Sequence, residues 1–185
     1  METAQKKESI VGTWNLDKAH TRIQFSARHM IISHVAGDFK KYDLKMKTKS
    51  EDFADSDIEF TIDATSIDTG VPDRDTHLRS EDFFGAENFK EIRFVKKSIE
   101  KIDEEKYKMK GDLRIRDITK TIDLDVTFGG MIMDPYGNLR AGFNVSGSLN
   151  RFDYGLKWNA LIETGGAVVG KTISINCDVE IVKQK

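Results

Sequence analysis

The stretch that decides the fold is GGAVVGKTISINCDVEIV, which runs from Gly165 to Val182. From Ile173 to Ile181 every second residue is apolar, and the residues between them are polar or charged. An alternation with period two is typical of a β-strand that has one buried face and one face in water. The last part of the chain is therefore predicted to be a strand.

The first eight residues of this stretch also match a phosphate-binding loop, G-x-x-x-x-G-K-[ST], with Gly165, Gly170, Lys171 and Thr172 in the required places. Such a loop binds phosphate because its backbone N–H groups converge on the anion and a following helix presents its positive N-terminus there. Here a strand pattern follows, so we interpret the match as a glycine-rich turn. Cys177 falls on the apolar phase and is predicted to be buried and unreactive.

The same alternation recurs along most of the chain and predicts further strands. Segments of this kind lie at residues 58–64, 107–116, 122–128 and 139–149, and earlier at 23–27 and 35–46. In the last of these the apolar phase changes between Phe39 and Tyr42. One extra residue would cause this change, so we expect a β-bulge near Lys40 or Lys41.

The connections between these strands favour an antiparallel arrangement. DPYGN, at residues 134–138, places Pro135 at i+1 and Gly137 at i+3 of a type I turn, which fits a hairpin. Outside residues 72–87 no segment has a helical period over two turns, so crossover helices for a parallel sheet are not expected. We predict an all-β protein, an extended antiparallel up-and-down β-barrel of about eight strands with a short helical cap segment. A β-sandwich is the competing fold.

Length and composition bound the class of protein. A chain of 185 residues suits one domain with a sizeable core, and we assign residues 1–10 to a polar tail and residues 11–185 to that domain. The formal charge of −2 gives no overall basic field that would attract nucleic acid or an anionic membrane. The N-terminus has neither an apolar signal region nor a spanning segment, so we expect cytoplasmic residence without stable membrane insertion. Secretion of a trimmed form stays an alternative.

The chain carries no strong signal for a metal, a cofactor or a catalytic nucleophile. His20 and His29 would lie about 30 Å apart on opposite faces of one strand, which prevents them from sharing an ion. His29 and His34 could meet across a turn, but no carboxylate is assigned to complete a zinc site. No G-x-S-x-G nucleophile elbow is present. The single cysteine excludes an intrachain disulfide.

Residues 66–89, SIDTGVPDRDTHLRSEDFFGAENF, interrupt the strand pattern and form the predicted cap. Pro72 fits a turn, Asp73 can cap a short helix near residues 74–83, and Phe83 with Phe84 would lie across the barrel mouth. Two interpretations stay open, a plug that seals the core and a gate for a ligand. We expect Phe83 to contact an apolar ligand, so Phe83→Asp should weaken ligand retention much more than it harms folding. If Phe83 instead belongs to the permanent core, the same change should unfold the protein.

Several segments together resemble the YceI family, lipocalin-like proteins that bind polyisoprenoids. The segments, in chain order, are WNLDKAHTRIQFSARH, ATSIDTGVPDRDTHLRSEDFF, GDLRIRDITKTIDLDVTF, DPYGNLRAGF and NRFDYG. The resemblance covers nearly the whole chain from Trp14 onward. It departs from the family at Lys90, where a proline is usual, at Arg116-Asp117, where a glycine is common, and in the lack of a secretion signal.

The resemblance implies a β-barrel, often a homodimer, that encloses a long apolar tunnel for an isoprenoid or a similar lipid, with no catalytic residues. Family signature positions are occupied by His20, Asp68, Arg74, Asp75, His77, Leu78, Phe83 and Phe84. The predicted ligand contacts are Ile23, Phe25, Phe39, Phe60, Ile62, Leu78, Phe83, Phe84, Phe94, Leu113, Phe128, Phe143 and Ile173. The predicted head-group or cap residues are His20, Arg74, Asp75 and His77. The alternative is a small-molecule enzyme that uses Arg74, Asp75 and His77 at the mouth as acid-base groups.

Overall fold

The computed structural model describes residues 8–160 and 168–185. Within them the strands are β1 Gly12–Leu16, β2 Arg22–His29, β3 Ser33–Phe39, β4 Tyr42–Thr48, β5 Ser56–Asp63, β6 Ile67–Asp68, β7 Glu91–Lys101, β8 Lys106–Ile115, β9 Ile118–Met133, β10 Leu139–Asn150 and β11 Val169–Lys183. The helix α1 is Pro72–Arg79, and two 3-10 helices span Ala64–Ser66 and Arg151–Tyr154. None of the described helices is long and apolar enough to cross a membrane.

Eight strands close into an antiparallel barrel. Their order is β1, β4, β5, β7, β8, β9, β10 and β11, and β11 pairs again with β1. Closure leaves no edge strand within this ring and hides the apolar phase of every strand inside it. The predicted barrel is therefore confirmed, and the sandwich alternative is wrong.

One end of the barrel is extended because β11 pairs with two strands in turn. Its residues 169–178 pair with β2, and residues 181–183 pair with β1. The added strand β2 pairs with β3, and β3 pairs with the short β6. The segment that contains α1 follows β6 on this longer wall. We call this end of the barrel the cap end.

The phase change between Phe39 and Tyr42 is present as a break between two strands rather than as a bulge within one. β3 ends at Phe39, and the backbone N–H groups of Lys40 and Lys41 both donate to the Ser66 hydroxyl, over 3.2 and 3.0 Å. Because these amides leave the sheet, β3 can pair with β2 while β4 pairs with β1.

The DPYGN hairpin forms as predicted. The backbone N–H of Gly137 donates to the carbonyl of Asp134 over 3.0 Å, which closes the turn. Gly137 has a φ of 75°, a conformation that favours glycine, and the turn joins β9 to β10.

An aromatic cluster closes the end of the barrel away from α1. Trp14 is only 1% exposed, and its indole N–H donates to the carbonyl of Ile10 over 3.1 Å. The Phe53 ring centroid lies 5.6 Å from those of Trp14 and Phe128 and 5.1 Å from that of Phe143. Ile10, assigned above to the tail, is buried in this cluster, so the packed structure extends at least to Ile10.

Candidate functional site

The barrel encloses a cavity of about 630 Å³ that runs from the cap end to the aromatic cluster. This volume lies in the range of about 300–1,000 Å³ that is usual for sites that hold one small molecule. The cavity walls are inward-facing side chains of the strands, and almost all of them are apolar. The barrel is therefore open inside rather than filled by its own side chains.

Twelve of the thirteen predicted ligand contacts line this cavity. They are Ile23, Phe25, Phe39, Phe60, Ile62, Leu78, Phe83, Phe84, Phe94, Leu113, Phe143 and Ile173. Phe128 is the exception, because its ring packs against Phe53 and Phe143 in the aromatic cluster. That the twelve residues contact a ligand stays a prediction.

The helix of the cap is shorter than the predicted segment and begins earlier. It starts at Pro72, whose fixed φ suits the first turn, and the residue at the N-cap position is Val71. Asp73 is thus not the cap, but lies in the first turn, where a carboxylate is favoured by the helix dipole. After Arg79 the chain turns back, and Ala86 N–H donates to the Arg79 carbonyl.

A polar network fixes the start of α1 to the loop before it. Asp75 is buried and accepts hydrogen bonds from the backbone N–H of Thr69 over 2.9 Å and from its hydroxyl over 2.5 Å. Arg74 donates to the same hydroxyl over 2.7 Å and to the Thr69 carbonyl over 2.9 Å. Arg74 lines the cavity whereas Asp75 does not, so the prediction of Asp75 as a head-group residue is not supported by its position.

His77 joins the cap to the loop that follows β10. Its Nε2 lies 2.8 Å from a carboxylate oxygen of Asp82. The imidazole centroid is 4.6 Å from the Trp158 ring and 5.1 Å from the Phe83 ring, and both contacts are edge-to-face. Phe83 is only 6% exposed and belongs to the core, whereas Phe84 is half-buried with its ring 5.9 Å from that of Phe39.

A second loop at the cap end depends on Arg151, which the sequence did not single out. The side chain is 3% exposed and donates to four backbone carbonyls, at distances from 2.6 to 3.1 Å: those of Leu156, Trp158, Val169 and Gly170. No carboxylate of the described residues pairs with it, and burial lowers its pKa. Arg151 therefore holds Trp158 at the cavity wall.

Trp158 is a cavity residue that sequence reasoning missed, because it lies in an irregular segment with no period. By contrast, Met109, Val145 and Ile175 line the cavity on strand phases that the alternation had already identified. For those three residues the sequence carried the signal.

His20 lies outside the cavity, so its prediction as a head-group residue is not supported either. It is exposed, and its Nδ1 is 2.9 Å from Asp17 on the outer wall. Asp17, His20 and Glu180 form the one cluster with metal-ligand spacing in the part of the chain that the structure describes. Arg140 already neutralises it, since its guanidinium donates to Asp17 over 2.5 Å and to Glu180 over 2.7 Å.

The ion pairs of Arg140 make the stability of the fold depend on pH in the acid range. The hydrogen bond with His20 and that with Arg140 lower the pKa of Asp17 from 3.8 to about 2, and Arg140 lowers the pKa of Asp134. Because these folded-state values are depressed, the stabilisation is complete above about pH 4 and is lost as the pH falls through the folded pKa. Arg140→Gln is expected to raise the pH of acid unfolding by about one unit, as followed by circular dichroism. An unchanged acid transition would contradict this assignment.

The match to a phosphate-binding loop lies on strand β11. Gly170, Lys171 and Thr172 are strand residues and no helix follows them, while Gly165 is outside the described residues. Lys171→Ala is therefore expected to leave the melting temperature unchanged, with no ATP binding before or after the change. A calorimetric titration that detects ATP binding by the parent and its loss in the variant would overturn this interpretation.

The remaining candidates for reactive groups are inactive in this arrangement. Cys177 is buried, and desolvation raises its pKa to about 11, so it is a thiol at neutral pH. His29 lines the cavity, but neither it nor His34 belongs to a metal-binding cluster among the described residues.

The side chains of the proposed acid-base residues Arg74, Asp75 and His77 do not converge on one point at the cavity mouth. Asp75 accepts its hydrogen bonds from Thr69, and His77 pairs with Asp82. Away from the cap the cavity walls are apolar, so no acid-base pair is found at depth within the described residues. This geometry favours binding over catalysis.

A closed antiparallel barrel with one apolar cavity and a helical cap defines a lipocalin-like binding protein. The chain belongs to the YceI family, because the YceI-like domain matches residues 14–181. A UPF0312 protein of Staphylococcus epidermidis is 38% identical over 168 residues, which cover 90% of this chain and 95% of the relative.

Solved structures show the same fold. The YCEI protein of Campylobacter jejuni is 34% identical, with a TM-score of 0.74 over 92% of this chain and 97% of that one. A polyisoprenoid binding domain from Saccharophagus degradans is 14% identical, with a TM-score of 0.72 over 94% of this chain and 99% of that domain. At that identity the second likeness supports the fold alone.

Proposed function

We propose that the protein binds one polyisoprenoid, or a similar long-chain apolar lipid, inside the barrel, without catalysing a reaction on it. The observation that carries the proposal is the wall of the cavity, which is apolar along its length and has its charged groups at the cap end. An alkyl or prenyl chain in this cavity is removed from water, which contributes about 25 cal/mol per Å² of apolar surface.

The comparisons support the same class of ligand. The Saccharophagus degradans structure, which shares the fold of this chain, is described as a polyisoprenoid binding domain. We extend this ligand class to the present chain because its own cavity has the required apolar lining.

The distribution of polar groups sets the orientation of the lipid. Arg74, His77 and Arg151 line the cavity at the cap end, whereas Met46 and Phe53 line it at the aromatic cluster. A lipid therefore directs its polar head towards α1 and its tail towards the aromatic cluster. His20 and Asp75 are not part of this head-group site.

The protein carries, stores or senses the bound lipid, and we favour carriage because an apolar cavity shields one chain from water. We further propose that the protein is a homodimer, as the family resemblance led us to expect, and that it resides in the cytoplasm. Light scattering would test the dimer, and fractionation of cells would test the compartment.

Trp158 offers a direct test of the lipid site. It lines the cavity, whereas Trp14 does not, so a long-chain prenyl alcohol with brominated carbons should quench Trp158 selectively. Titration of the parent should give saturable quenching, and Trp158→Phe should remove most of it while binding persists. Absence of saturable quenching in the parent would count against lipid entry at this end.

A further inference from the structure

The hairpin tip between β2 and β3 exposes three successive apolar side chains to water. Met30 is 38% exposed, Ile31 59% and Ile32 87%. Single exposed apolar residues are common on protein surfaces, but a contiguous group at a protruding tip marks an interaction site.

The backbone of this tip is also strained. Met30 and Ile31 have φ values of 49° and 69°. Positive φ suits glycine or asparagine, and for a β-branched residue such as Ile31 it is a true outlier. An Asn-Gly turn would relieve the strain and hydrate better, so folding alone does not account for apolar residues here.

The described strand residues that flank the tip carry positive charge and no negative charge. Residues 25–37 and 168–175 contain no acidic residue, and they include Arg28 and Lys171. Both are exposed, and neither forms an ion pair with a described carboxylate. An apolar tip flanked by cations complements the surface of a bilayer that contains anionic lipids.

The tip lies beside the opening of the cavity. Arg28, His29 and Val168 line the cavity, and the backbone N–H of Met30 donates to the Val168 carbonyl over 2.9 Å. Asp73 on α1 is the one carboxylate among the cavity-lining residues described. A tip buried in a bilayer would therefore bring the cap end of the cavity to the membrane surface.

We propose that residues 30–32 insert into the interface of a membrane with anionic lipids and present the cavity mouth to the bilayer. This inference rests on the proposed lipid-binding function and adds the source from which the lipid enters. A second copy of this chain is the competing occupant of the tip.

Vesicle flotation tests the proposal, with phosphatidylcholine vesicles that contain about one third phosphatidylglycerol. The parent should float with the vesicles, and the double variant Ile31→Ser, Ile32→Ser should bind at least about tenfold more weakly. The matched control is Ile132→Ser, Met133→Ser at the opposite end of the barrel, where the parent residues are 67% and 43% exposed. The control should bind like the parent, and all three proteins should melt at similar temperatures.

Three results would overturn the proposal: no flotation of the parent, equal flotation of the tip variant, or loss of self-association as the only effect of the tip variant. Lipid extraction from the same preparations distinguishes a failure of membrane docking from a failure of lipid binding in the cavity. If the parent carries lipid but does not bind vesicles, the cavity assignment stands and the docking tip is wrong.

Discussion

Replacing Phe83 with aspartate is expected to unfold the protein. The ring is 6% exposed and lies between His77 and Trp158, with centroids 5.1 and 5.4 Å away. An aspartate there loses the packing of the ring and buries a carboxylate without a partner, which together cost more than about 4 kcal/mol. This is a large fraction of the roughly 5–15 kcal/mol by which a typical domain is stable.

The adjacent Phe84 provides the matched control for this change. It is half-buried, and it lines the same cavity with its ring edge against Phe39. Phe84→Asp should keep the fold, because the carboxylate can stay hydrated in an empty mouth, but should weaken lipid binding at least about tenfold.

Thermal melting and lipid titration of the two variants measure both effects. Phe83→Asp should show no cooperative melting transition, whereas Phe84→Asp should melt close to the parent. If Phe83→Asp folds and loses only its lipid, then Phe83 is part of a ligand gate and not of the core.

Val145→Trp should abolish lipid binding while the barrel stays folded. Val145 lies in the middle of β10, pairs with Val126 and Cys177, and lines the cavity. An indole side chain at this position projects into open space and displaces about five carbons of a bound chain. At about 0.8 kcal/mol for each buried carbon, the loss is about 4 kcal/mol, or about a thousandfold in affinity.

Val95→Trp is the control for the chemistry of the substitution. Val95 is 36% exposed and is not among the cavity-lining residues, so the indole would lie on the outer wall. This variant should bind lipid like the parent. If Val145→Trp binds lipid equally well, the ligand does not occupy the middle of the barrel.

The period-two pattern was sufficient to predict the barrel and most of its lining. Residues such as Leu113 and Ile173 alternate with charged or polar neighbours, so their inward phase could be read without coordinates. The phase change after Phe39 was also visible. The sequence did not show which strands pair with β3 and β4. That pairing depends on the position of Ser66, which is distant in sequence and whose hydroxyl accepts hydrogen bonds from the Lys40 and Lys41 amides.

The cap was less predictable because its contacts are set by turns rather than by a repeat. Phe83 and Phe84 are adjacent identical residues, yet Phe83 is 6% exposed within the core whereas Phe84 is half-buried against it. Asp75 and His20 carry the family signature, but their side chains meet Thr69 and Asp17 instead of the cavity. A motif identifies such residues without fixing where they point.

Mass spectrometry of organic extracts from the purified protein tests the central claim most directly. We expect about one long-chain apolar lipid per barrel in the parent, and none in Val145→Trp purified in parallel. Extracts of the parent without stoichiometric lipid, together with no uptake of added prenyl lipids, would contradict it.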